Sequence, residues 1–270
     1  MLKNNYFEIE KDLDEGFLRF IDYGKAENFS FEKRNKVYQD TKNEEIQYIG
    51  LQADGKVNPT YYDNAKKKVL ILLYESYRNI SDKNLDYIWN LAGRLKKGLI
   101  GPYDKVNKWI EEINQGLDLG FNESVEAIQY CAVMNISKIA RSESETDYKN
   151  LEICACSENN TIKNQFIPCC GERLAEQFLF YDADIIVCGN TKTYMDKFLE
   201  TGGIEYKIID MWKGEEQTKK GHPKLNAYKY EINGKEVLLF HAYHPSAGRG
   251  NDTQSENFKN IIRKNNLQIR

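Results

Sequence analysis

The chain reads as a three-layer α/β/α protein built around a mostly parallel central sheet, and three observations predict it. Short apolar runs recur between segments of helical period, so strand and helix alternate along the sequence. In "KKKVLILLYESYR" (66–78) six apolar residues follow one another rather than alternating, which suits a strand covered on both faces. Each run then breaks into polar or turn-forming residues, which is where such sheets present ligand-binding groups.

Taken in order, residues 1–65 are polar and rich in Lys, Glu, Asn and Tyr, without a strong period. "DLDEGFLRFIDY" (12–23) suits one amphipathic helix, and the region is read as an elaboration packed on a main domain of 66–270. "KKKVLILLYESYR" (66–78) predicts the first buried strand. "NLDYIWNLAGRLKKG" (84–98) and "KVNKWIEEINQGLDLG" (105–120) repeat apolar groups at helical spacing, Gly98 being a natural stop. "AIQYCAVMNISK" (127–138) predicts a second strand, "CCGERLAEQFLFYDA" (169–183) a helix, and "DIIVCGNTKTY" (184–194) a third strand entering a Gly-Asn turn. A helix resumes in "TKTYMDKFLE", followed by strands in "EYKIID" and "KYEINGKEVLLFHAY". Asn233-Gly234 marks a tight hairpin in the last of these. "SENFKNIIRKNNL" closes the chain with an amphipathic helix.

Composition narrows the classes. Hydrophobic residues make up 41% and charged ones 29% of 270 residues, enough for a sizeable core in one large domain. No apolar stretch approaches bilayer length, and the acids in "MLKNNYFEIEKDLDEGF" do not suit a signal peptide, so a cytoplasmic protein without a membrane partner is expected. A net charge of −3 argues against a broad nucleic-acid-coating surface, yet leaves room for a grip on a few phosphates. Four of the six cysteines, Cys154, Cys156, Cys169 and Cys170, fall close together. Their C-x-C and C-C spacing is not that of a standard zinc or iron–sulfur site, so buried thiols and no metal are expected.

"LLFHAYHPSAGRG" (238–250) holds two of the three histidines. His244, just beyond a strand and before Pro-Ser, fits either a carbonyl-satisfied strand end or a donor aimed into a crevice. His241 alternates with Tyr243 and reads as structural. Four segments would deliver polar residues to one rim of the sheet: Glu75-Ser76, Asn135 to Lys138, Gly189-Asn190 and His244-Pro245-Ser246.

The order of these segments resembles the uracil-DNA glycosylase superfamily, its family-four branch above all. That branch has Gly-Glu-Ala-Pro-Gly after its first strand, matched here by Tyr74-Glu75-Ser76-Tyr77-Arg78. Its Asn-x-x-Lys is matched by Asn135-Ile136-Ser137-Lys138, and its cysteine-led helix by Cys170, Leu174 and Gln177. A strand ending in Leu-Gly corresponds to Ile185–Gly189, and a His-Pro-Ser motif to His244-Pro245-Ser246. The resemblance covers roughly residues 66–265. Two departures stand out: Tyr74 replaces a usual glycine and Tyr77 a usual proline, bringing bulk into the loop that would face sugar and base. Of the four cluster cysteines of that branch only Cys170 is matched, so no iron–sulfur cofactor is expected.

The resemblance implies a DNA glycosylase that removes a uracil or modified pyrimidine flipped out of DNA. The departing base becomes an anion and the sugar cation-like. His244 would donate to the base oxygen, and Glu75 would orient water or counter the sugar's charge, its plainer reading being a turn cap. Asn135 would read the base edge, although a strand-end Asn is also a common turn former. Tyr77 is a candidate stacking residue and Ser76 lines the same loop. Lys138, Ser246 and Arg249 are candidate DNA contacts, Lys138 fitting an acidic neighbour equally well and Arg249 a solvated loop. The altered first motif leaves two further options, a modified base of phage DNA in antiviral defence or an inactive binder of the same fold.

Overall fold

The computed structural model describes residues 55–73, 77–78, 102–122, 124–136, 141–142, 163–214, 225–243, 245 and 253–269. Nine strands are described: β1 (Gly55–Lys56), β2 (Val69–Leu73), β3 (Tyr77–Arg78), β4 (Cys131–Asn135), β5 (Arg141–Ser142), β6 (Ile185–Gly189), β7 (Tyr206–Lys213), β8 (Leu225–Ile232) and β9 (Lys235–Ala242). The described helices are α1 (Pro59–Asn64), α2 (Pro102–Leu117), α3 (Lys163–Tyr181), α4 (Lys192–Thr201) and α5 (Thr253–Lys264). None of them is long and apolar enough to cross a membrane.

Seven strands form one sheet in the order β1-β4-β2-β6-β9-β8-β7. The central four, β4, β2, β6 and β9, run parallel, while β1, β8 and β7 are antiparallel to their neighbours. The mostly parallel centre predicted from unbroken apolar runs is present. Every residue of β2, β4 and β6 is buried, as double coverage requires.

Coverage comes from helices on both faces. In β2, Leu70 and Leu72 join a cluster with Leu174 and Phe178 of α3 and Phe198 of α4. Val69, Ile71 and Leu73 join the opposite cluster, with Trp109 and Ile113 of α2 and Phe258 and Ile262 of α5. Burying side chains of this size stabilises the fold by about 1.5–3 kcal/mol each before entropy is set against it. The helix α2 shows why it forms: Val106, Trp109, Ile110 and Ile113 repeat at three and four residues and all are fully buried. α3 and α4 approach closely at Gly202, where a Cβ would lie 2.4 Å from that of Ala175.

Two elements differ from their predicted form. The strand expected over 127–138 is a 3-10 turn at Ala127–Tyr130 followed by β4 alone. The Ile128 N–H is drawn off by Asn107 Oδ1 of α2 at 3.0 Å, so the segment folds onto that helix instead of extending. The strand seen in "EYKIID" runs on to Lys213. The hairpin forms as predicted: Asn233 and Gly234 both have positive φ, 47° and 78°. The expected helices at 12–23 and 84–98 lie outside the described residues.

Candidate functional site

Chain order and sheet order together create a reversal at the centre of the sheet. From β2 the chain crosses to β4 on one side by way of α2, then returns by way of α3 to β6 on the other side of β2. α2 and α3 consequently cover opposite faces, as a common handedness of crossover demands. The reversal makes a topological switch point between β2 and β6. In open α/β sheets, ligands bind outside the carboxyl ends of the strands at such a point.

Register aligns those ends. Leu73 is level with Asn135, Leu72 with Cys188, and Gly189 with Ala242. The segments that leave β2, β4, β6 and β9 therefore start from one edge of four adjacent strands. These are the four segments singled out in the sequence. Beyond the edge, the segments after β2 and β4 meet again, where β3 pairs in parallel with β5 and Tyr77 is level with Arg141. The Ile136 N–H also bonds the Leu73 carbonyl at 2.9 Å.

Of the predicted site residues, Asn135 is described in full: it ends β4 and is completely buried. Tyr77 opens β3, and its side chain lies outside the described residues. Glu75, Ser76, Lys138, His244, Ser246 and Arg249 also lie outside them. The nearest described residues to Glu75 and Ser76 are Leu73 and Tyr77, and Pro245 is buried between His244 and Ser246. The helix that carries Cys170 buries Leu174 and Gln177, and the Cys170 side chain is outside the described residues.

The floor at the switch point is held by hydrogen bonds that sequence reasoning missed. After Gly189 the chain turns through Asn190, left-handed at φ 62° and exposed, whose N–H bonds the Ala242 carbonyl of β9 at 2.8 Å. The next residue, Thr191, is fully buried and donates from Oγ1 to the Leu72 carbonyl of β2 at 2.7 Å. One turn thus ties β6 to both neighbours. Cys188 lies beneath it, and burial pushes its thiol up to about 12 despite a hydrogen bond with Thr191.

A polar cluster also missed by that reasoning adjoins this turn. Lys192 opens α4, lies 2.6 Å from Asp196 Oδ2, and stands 5.0 and 5.4 Å from the ring centres of Tyr228 and Tyr230. The Tyr230 hydroxyl donates to Asp196 Oδ1 at 2.9 Å. Burial, then proximity to the Asp196 charge, pushes the Tyr230 hydroxyl far above its ordinary value. His241, expected to be structural, is level with Cys188 and Asn226 and belongs beside this group. Burial, with the Lys192 charge behind it, holds His241 below its ordinary value against the opposing influence of Asp196. The only signal in sequence was the Lys192–Asp196 spacing of four on a helix. The tyrosines and histidine come from distant strands.

Among the described residues, no group of three or more His, Cys, Asp or Glu is arranged to hold a metal ion. Comparison of the chain with family models, curated proteins and solved structures finds no match. The fold defines an open α/β protein whose strand order reverses between β2 and β6.

Proposed function

We propose that the chain is a monofunctional DNA glycosylase of the uracil-DNA glycosylase type, which hydrolyses the bond between a flipped-out pyrimidine and its sugar. The observation that carries this reading is the common edge from which the Glu75, Asn135 and His244 segments leave the sheet. β4 and β2 are neighbours, whereas β9 stands two strands from β2, about 10 Å at the usual spacing. That interval suits a base held between a carboxylate and amide on one side and an imidazole on the other.

In the proposed reaction the N1–C1′ bond breaks, water adds its hydroxyl to C1′, and its proton ends on the base. His244 donates to the pyrimidine O2 as negative charge develops there. Glu75 orients the water and balances the sugar's positive charge. Asn135 offers a donor and an acceptor to the base edge. Lys138, Ser246 and Arg249 contact DNA, and Tyr77 with Ser76 bounds the pocket.

The test is release of free base from single- and double-stranded DNA carrying uracil or phage-type modified pyrimidines. The expected result is release by the wild type and loss of about a hundredfold or more in Glu75→Ala and His244→Ala. A net charge of −3 together with Tyr74 and Tyr77 favours a second reading, a binder that keeps the fold without catalysis. Binding without release from any of these substrates would select it.

A further inference from the structure

We propose that the outer edge of β7 pairs with the same edge of a second copy, joining two sheets into one. Among the described residues the strand ends the sheet; it is eight residues long, contains no proline, and is exposed along nearly its whole length. Ile208, Ile209 and Met211 are 48, 47 and 45% exposed, an apolar display that edge strands normally avoid.

The bulge in β7 decides which partner fits. Two antiparallel copies related by an axis normal to the sheet keep every residue on its own face, so opposed residues must share one. In a regular strand, residues three apart lie on opposite faces. Here the register shifts between Ile208 and Asp210. Ile208 is level with Tyr230 and Met211 with Tyr228, two residues of one core cluster, so both point to the same face. Lys207, Asp210 and Trp212 share the other face, level with Glu231, Lys229 and Ala227.

An axis between Ile209 and Asp210 then sets Ile208 opposite the partner's Met211, and Lys207 opposite the partner's Trp212. The same axis brings Lys207 diagonal to the partner's Asp210, so its ammonium, 2.6 Å from Glu231 of its own chain, sits between two carboxylates. The pattern is self-complementary, apolar on apolar and cation beside anion, and symmetry makes every contact twice. A single added strand pair belongs to the small class of interfaces, so the dimer forms and dissociates with concentration.

Sedimentation of the full chain over roughly 1–100 µM tests the pairing by mass action. The expected result is a reversible monomer–dimer equilibrium. Ile208→Lys and Lys207→Glu should each weaken it by about tenfold or more, the second by setting two acids side by side. Both positions are exposed, and circular dichroism checks that the fold persists. A chain monomeric throughout, or a dimer indifferent to Ile208→Lys and Lys207→Glu, overturns the proposal.

Discussion

Replacing Thr191 by valine removes one buried hydroxyl and keeps the shape of the side chain. Thr191 is the N-terminal cap of α4, yet its side chain accepts no helix N–H; it donates instead to the Leu72 carbonyl at 2.7 Å. Valine therefore loses no capping bond. What it loses is a buried link between β2 and the turn after β6, together with the hydrogen bond to Cys188, leaving a strand carbonyl short of one partner. A neutral hydrogen bond of this kind contributes about 1 kcal/mol net, and the stranded acceptor raises the cost towards about 2. For a chain of this length, each kcal/mol lowers the unfolding midpoint by about 2–4 °C, so a fall of roughly 2–8 °C is expected. Thermal unfolding followed by circular dichroism measures it. Hydrogen exchange separates the link from a capping role, because the Tyr194 and Met195 amides bond the Thr191 carbonyl, which valine retains. Those two amides should keep their protection while the midpoint falls. An unchanged midpoint, or amides that exchange sooner, would refute the reasoning.

Three other outcomes are expected. The folded His241 binds its proton less readily than an unfolded histidine, so its contribution to stability is complete above the unfolded value of about 6.5 and declines as pH falls below it. His241→Asn should flatten that acid limb in unfolding midpoints measured across pH, and an unaltered limb would exclude His241 as a source. Cys131 and Cys188 are fully buried with thiols raised by burial, so alkylation followed by mass spectrometry should mark them only after denaturant is added. Gly234→Ala meets nothing within 4 Å but forces alanine to φ 78°, which should cost about 1 kcal/mol by denaturant titration.

The sheet was legible where burial on both faces left only apolar residues to choose. β2, β4 and β6 are such runs, and each lies within its predicted segment. The hairpin was legible because two successive positive φ angles leave few residue types besides Asn-Gly. Reading failed where a distant side chain overrode local preference. Asn107 converts the start of a predicted strand into a 3-10 turn, and no property of "AIQY" reveals that. The Thr191 hydroxyl was invisible for the same reason, since a Thr before a helix signals a cap and not a bond to a strand 119 residues earlier.

The candidate site divides along the same line. Its residue types were readable as strand-end polar groups, but the proposed convergence of their segments depends on which strands are neighbours. Strand order supplies that: β4 lies beside β2, and β6 separates β2 from β9. Register supplies the rest, and double burial locks it. Moving β4 by one residue would exchange Ala132 and Met134 with Cys131 and Val133 between the two core clusters, remaking both faces at once. Asn135 is thereby kept level with Leu73, and Glu75 can be no more than two residues from that point. His244 is tied in the same way to Ala242, which is level with Gly189. In the proposed reaction, a substitution that loosens register, such as a charge at Val133, should therefore weaken base release even though it touches neither carboxylate nor imidazole. In the proposed glycosylase the site's geometry would follow from core packing, so base release and cooperative unfolding should fail together in such variants and separately in Glu75→Ala.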